Sequence, residues 1–174
     1  MTDRGNRRQA IFLDSDDRHG FLSMLEHLAR SRGWIGHGYC LMPNHYHLVV
    51  ETPAGDLSSG MQWLNGRHAQ DFNHRHAFDG HLFQGRFYSG EVEGDWHLLE
   101  LSRYLARNPV EAGLCRHPAE WRWGSYRALA GLGPSPAPTF LDVRRVLSMF
   151  GPKADSARKR FRTFIDDAPN RPQA

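Results

Sequence analysis

The stretch Leu41-Met42-Pro43-Asn44-His45-Tyr46-His47-Leu48-Val49-Val50 decides how this chain folds. Residues two apart on a strand point to the same face, so His45 and His47 project side by side while Tyr46 points away. The Met42-Pro43-Asn44 break separates this strand from another, Trp34 to Cys40, and a single bulged strand is the alternative arrangement. Two imidazoles at that spacing can grip one divalent cation. They need a further ligand and leave positions open, which suits a catalytic metal. Two histidines hydrogen-bonded at a sheet surface would show the same pattern.

Helices flank this strand pair. Asp14, Ser15, Asp16 and Asp17 offer cap oxygens and negative charge at a helix start. Phe21, Leu22, Leu25, Leu28 and Ala29 follow with helical spacing, and Gly33 stops the helix, which predicts Asp14 to Arg32. A second helix is predicted over Leu57 to His74, with Leu57, Met61, Leu64, His68 and Phe72 on one side. Leu82 to Val92 is aromatic, rich in glycine and strand-like. Asp95 caps a third helix, Trp96 to Arg107, expected to end near Pro109 because a residue before proline resists helical geometry. On it Tyr104 and Asn108 share a face one turn apart. A tyrosine at that place is also an ordinary edge residue of an amphipathic helix.

The remainder is less regular. Trp121, Trp123 and Tyr126 form an aromatic cluster, Gly131 to Pro138 a Pro/Gly linker, Leu141 to Phe150 a final helix and Arg158 to Ile165 a basic segment. The expected organisation is one domain over 1–130, a linker over 131–138 and a basic helical tail over 139–174. His74-Arg75-His76, at a helix end in a polar stretch, reads as solvated surface.

Composition narrows the class of protein. The 174 residues suffice for one ordinary domain plus a tail. Net charge is +3, and of 22 basic residues only Lys153 and Lys159 are lysine, leaving 20 arginines. Arginine binds phosphate bidentately and stacks on bases, which is compatible with a nucleic-acid partner; a GC-rich coding sequence produces the same bias. Two cysteines cannot build a disulfide framework. With neither an apolar leader nor an 18-residue apolar run, a soluble, cytoplasmic protein is expected, with no membrane partner.

Five ordered stretches resemble the REP-associated branch of the single-tyrosine transposases, whose hallmark is a His-hydrophobic-His motif. They are Arg4-Gly5-Asn6-Arg7-Arg8, Met42 to His47, Gly80 to Phe87, Arg103-Tyr104 through Asn108-Pro109-Val110 with Ala112-Gly113-Leu114, and Trp121 to Tyr126. The resemblance implies an α+β fold, a ferredoxin-like antiparallel sheet with helices on one face plus the C-terminal helical tail. It also implies cleavage and rejoining of single-stranded or hairpin DNA through a 5′-phosphotyrosine. In these terms Tyr104 is the nucleophile, while His45 and His47 hold Mg²⁺ or Mn²⁺ with Asn108 as third ligand. DNA contacts are expected from Arg4, Arg7, Arg8, Arg86, Arg158 and Arg160, with Trp121 or Trp123 as stacking surfaces.

Members of that family act as monomers or homodimers, and an association with the nucleoid follows from the DNA partner. The alternative function is a domesticated hairpin-binding protein with little chemistry. A small-molecule hydrolase would leave Tyr104, Asn108 and the arginines without a role. Relatives usually carry a longer first strand ending in a sequence like His-Val-Thr-x-Arg-Gly-Asn. A start upstream of Met1 is therefore expected here, since GTG serves both as a valine codon and as a bacterial start.

Overall fold

In the computed structural model, which describes residues 1–132 and 137–167, a tight hairpin organises the sheet. Strands β2 (Ile35–Met42) and β3 (His45–Glu51) run antiparallel, with Met42 opposite His45 and only Pro43 and Asn44 between them. Proline sets φ for a turn and lacks an N–H to waste there. Strand β1 (Thr2–Arg4) pairs with the other edge of β3, giving the order β1-β3-β2 with the histidine strand in the centre.

Leu82–Tyr88 runs along the outer edge of β1 through isolated bridges, Gly5 to Phe83 and Thr2 to Tyr88. That is the place of the fourth strand in a ferredoxin-like sheet. The strand expected over Leu82 to Val92 is thus reduced to bridges.

Alternation along the strands divides the molecule into two cores. Tyr39, Leu41, Tyr46 and Leu48 face helices α1 (Ser15–Arg32) and α2 (Leu57–His76), packing with Phe12, Phe21, Leu25, Leu28, Met61 and Leu64. Cys40, Met42 and Val49 face the other way, toward α3 (Gly94–Glu111), α4 (Tyr126–Leu129), α5 (Val143–Ser148) and α6 (Ala154–Asp166). The α+β class and the antiparallel sheet hold. The helices, however, cover both faces of the sheet rather than one, because the second face is itself apolar and its burial is favourable.

Helix ends follow their sequence signals in part. Asp14 accepts from the N–H groups of Asp16 and Asp17, and Asp17 accepts in return from that of Asp14. Gly33, at φ 70°, closes α1 in the left-handed conformation that glycine adopts without penalty. The third helix passes through Pro109 to Glu111 instead of stopping before it. So near the C-terminus, proline sacrifices a single backbone hydrogen bond. Its N-cap is Glu93 rather than Asp95, and the Glu93 N–H donates to His97 Nδ1 at 3.0 Å.

His74-Arg75-His76 is not simply solvated. His74 is exposed, but Arg75 bonds Asp14 and Asp17 and His76 Nε2 lies 3.0 Å from Asp17, which ties the end of α2 to the start of α1. The C-terminal helices fold back on the sheet: Phe161 and Ile165 of α6 are fully buried with Leu105 and Val146. Of the expected linker, residues 133–136 lie outside the described residues. Among the described residues no helix is long and apolar enough to cross a membrane.

Two expectations follow. A Cβ on Gly60 of α2 would stand 2.1 Å from the Trp34 ring, so Gly60→Ala should cost about 1–3 kcal/mol through overpacking. Urea unfolding would show a lower midpoint, and an unchanged midpoint would refute the packing of α2 on Trp34. The Asp14 carboxyl is held down at about 2 by hydrogen bonds from the Asp17 N–H and Arg75. A lowered native pKa stabilises the fold above the ordinary carboxylate value, and the benefit disappears as pH falls toward 2. Asp14→Asn should therefore flatten the loss of thermal stability between pH 4 and pH 2, as measured by scanning calorimetry.

Candidate active site

His45 and His47 stand on the α3 side of the central strand, ring centroids 5.0 Å apart and nearly perpendicular. Helix α3 lays Tyr104 and Asn108 across them. The Tyr104 hydroxyl lies 3.3 Å from His47 Nε2, and Asn108 Nδ2 lies 3.4 Å from the same atom. The helix comes this close because β2 carries Gly38 beneath it, where a Cβ would meet Leu105 Cδ1 at 2.7 Å. Leu105, next to Tyr104, fills that space. Thus the histidine pair, Tyr104 and Asn108, separated widely in sequence, are brought together.

Burial governs the electrostatics. It lowers the His47 pKa to about 3, helped by His45, the N-terminal ammonium and Arg4. It lowers that of His45 to about 4, helped by Arg4 and opposed by a hydrogen bond with Asn108. Both rings are therefore neutral near pH 7, the form that ligates metals. Burial raises the Tyr104 pKa above its ordinary 10.0, opposed by Asn108 and Arg4. The Tyr104 side of the site is still open, for the residue is 40% exposed.

Beneath the strand, Tyr46 points the opposite way, as its position predicts, and its hydroxyl donates to Asn65 Oδ1 at 2.6 Å. Asn65 Nδ2 donates to Asp3 Oδ2 at 2.6 Å, and the Arg4 N–H donates to Asp3 Oδ1 at 2.8 Å. This chain joins α2, β3 and β1, and sets the backbone of Arg4 beside the histidines. Sequence inspection missed Asn65. Its only signal is an amide next to Leu64 on the buried stripe of α2.

The arginines divide into two groups. Arg4, Arg7, Arg8 and Arg86 are exposed. Arg7 and Arg8 hold the left-handed conformation in succession, at φ 52° and 60°, which is uncommon outside glycine and asparagine. Arg158 and Arg160 lie on α6 and serve the C-terminal region. Arg160 Nη1 donates to the Phe150 carbonyl at 2.9 Å, while the Arg158 Nε is buried with no hydrogen-bond partner. None of their hydrogen bonds among the described residues reaches the histidine pair or Tyr104.

Aromatic exposure also differs from expectation. Trp123 is only 8% exposed and packs in the core, and Trp121 is half-buried. Among the described residues the two most exposed aromatic rings are Tyr88 at 74% and Trp96 at 68%. Tyr88 borders an open cleft of about 540 Å³ shared with His47, His97, Leu101 and Tyr104. Trp96 carried a usable signal, since it sits off the Leu98, Leu101 and Leu105 stripe of its helix. Among the described residues one other group has metal-ligand chemistry: Asp14, Asp17 and His76 place ligand atoms within 4.8 Å of one another. Arg75 already bonds both of those carboxylates, which also bond the N–H groups at the start of α1.

Comparison with known proteins supplies an independent line. Residues 4–108 match the model of a family described as "Transposase IS200 like". None of the curated proteins compared with the chain matches it. A solved structure of a REP-associated tyrosine transposase bound to a REP hairpin is similar at 20% identity and a TM-score of 0.62. The match covers 82% of this chain and 84% of that one, a likeness of fold.

The polar chain under the site yields a test. Asn65→Ala leaves the Tyr46 hydroxyl and the Asp3 carboxylate without their partner, at a cost of about 1–3 kcal/mol. Chemical denaturation should show a lower midpoint. Stability equal to the parent would mean that these groups need no partner there.

Proposed function

The chain belongs to the IS200-like transposase family, and on that footing we propose that it is a metal-dependent single-strand DNA endonuclease and strand transferase of the REP-associated branch. The observation that carries this reading is the 3.3 Å contact between the Tyr104 hydroxyl and His47 Nε2, on a face that also holds His45 and Asn108. In the proposed reaction Tyr104 Oη attacks the scissile phosphorus. The P–O3′ bond breaks, the 3′-oxygen leaves as a hydroxyl after taking a proton, and the 5′-phosphate remains on the tyrosine. An incoming 3′-hydroxyl reverses the step and joins strands. The phosphodiester energy is kept in the covalent link, so no nucleotide is consumed.

The donor set fits a divalent ion. Two neutral imidazoles, His45 and His47, would hold Mg²⁺ or Mn²⁺ with the Asn108 amide oxygen as third ligand. When bound, the ion offsets negative charge on the attacked phosphate, which matters because a phenol with a raised pKa is a weak nucleophile. A neutral imidazole has one lone pair, so His47 Nε2 cannot ligate an ion and also take the phenolic proton. That proton passes to water, which reaches the exposed side of Tyr104.

Hairpin DNA is the proposed substrate, by analogy with the REP hairpin held in the structure of similar fold. Arg4, Arg7, Arg8 and Arg86 would track its backbone, and the exposed rings of Tyr88, at the cleft, and Trp96, next in sequence to cleft-lining His97, would stack unpaired bases. On α6, Arg160 already bonds the Phe150 carbonyl and Arg158 has a buried Nε, so neither is counted in that surface. A second reading is a hairpin-binding protein with little chemistry, since the likeness to the hairpin-bound structure, at 20% identity, is one of fold.

One experiment separates the readings. With a labelled hairpin library and Mn²⁺, denaturing gels should show a covalent protein–DNA band. Tyr104→Phe should lose the band below detection while binding the same hairpins within a factor of a few. A folded, Mn²⁺-bound protein that binds hairpins and gives no band would establish the second reading.

A further inference from the structure

Asn44 sits at the tip of the β2–β3 hairpin and uses both ends of its side-chain amide. Its Nδ2 donates to the Arg8 carbonyl at 3.1 Å. A carbonyl oxygen only accepts, so this contact settles which end of the amide faces Arg8. The other end, Oδ1, lies 2.7 Å from His45 Nδ1, and it too can only accept. The hydrogen between them therefore belongs to Nδ1. A neutral imidazole carries one ring proton, which leaves the lone pair of His45 on Nε2.

We propose that Asn44 is a positioning residue that fixes the tautomer and ring orientation of His45, so that Nε2 is the atom offered to a cation. This rests on the reading of His45 as a metal ligand given above. An unconstrained histidine side chain in water favours the opposite tautomer, with its proton on Nε2. Without Asn44 the ring would drift toward the form that blocks the coordinating atom. Outer-shell partners of ligating histidines act in this way elsewhere, by holding the second nitrogen.

The hairpin tip is held on several sides. The Gly5 N–H donates to the Asn44 carbonyl at 2.8 Å, and the N–H groups of Ile11 and Phe12 donate to the Pro43 carbonyl at 2.9 and 3.1 Å. Arg8, whose carbonyl orients the amide, is one of the two consecutive left-handed arginines. The unusual turn over Arg7 and Arg8 thus supplies the acceptor that Asn44 needs. An aspartate at this position would still accept from His45 but could not donate to Arg8. An alanine would do neither.

The test reads the protein without metal. In long-range ¹H–¹⁵N correlation spectra of ¹⁵N-histidine-labelled protein at pH 8, His45 should appear with its proton on Nδ1. Asn44→Asp should keep that tautomer and Asn44→Ala should shift it toward Nε2–H, with circular dichroism confirming the fold. Affinity for Mn²⁺ alone, by paramagnetic resonance titration, should weaken about 10–100-fold in Asn44→Ala. A wild-type His45 with its proton on Nε2, or a tautomer and an Mn²⁺ affinity that ignore the alanine, would overturn the proposal. If Asn44→Ala does not fold, the wild-type and Asn44→Asp spectra decide. A wild type with the expected tautomer but no Mn²⁺ affinity would overturn the metal-ligand reading and leave the tautomer assignment standing.

Discussion

The absence of a side chain at Gly38 sets how near α3 can come to the sheet, and the rest of the arrangement depends on that distance. A Cβ there would run into Leu105 at 2.7 Å, and packed interiors have no slack to absorb such an overlap. Leu105 adjoins Tyr104, so anything that lifts the leucine also lifts the tyrosine from His47. The four side chains of the site come from two elements only, β3 and α3. Their mutual geometry is therefore a property of one helix-on-sheet contact rather than of several loops. Sites built on regular elements are held more precisely than sites on loops.

The central strand works on both sides at once. Tyr46 and Leu48 belong to the core beneath α1 and α2, whereas His45 and His47 look toward α3. Slipping the strand by one residue would put the histidines in the core beneath α1 and α2 and the tyrosine under α3. Tyr46 guards against that slip more strongly than an aliphatic residue would, because its hydroxyl has a fixed partner in Asn65. Asn65 in turn holds Asp3, so the register of β3 and the placement of β1 are coupled through a single amide.

Local signals in the sequence were read well. The capping aspartates of α1 and the stop at Gly33 agree with the structure to within a residue, and the Pro43-Asn44 break is a hairpin tip. Tyr104 and Asn108 share a helix face because their spacing says so, but their meeting with the histidines came from resemblance, since no local pattern encodes a contact 57 residues apart. What stayed hidden was long-range. Trp123 looked available for stacking, yet its ring is buried in the core, with Arg18 and His19 of α1 against it. Arg75 and His76 looked solvated, yet another helix's capping aspartates lie opposite them. Arg160 looked free to meet phosphate, yet it caps a carbonyl of its own chain. In each case the partner lies elsewhere in the sequence and leaves no mark on the neighbouring residues.

The left-handed pair Arg7 and Arg8 has a bearing on what a substitution there would cost. Each non-glycine residue in that region carries a backbone penalty of roughly 1–2 kcal/mol. Glycine at either place would relieve it. Its extra freedom in the unfolded chain would take back about 0.5–1 kcal/mol of that relief, so the two arginines cost the fold little and leave two guanidinium groups displayed on a fixed turn.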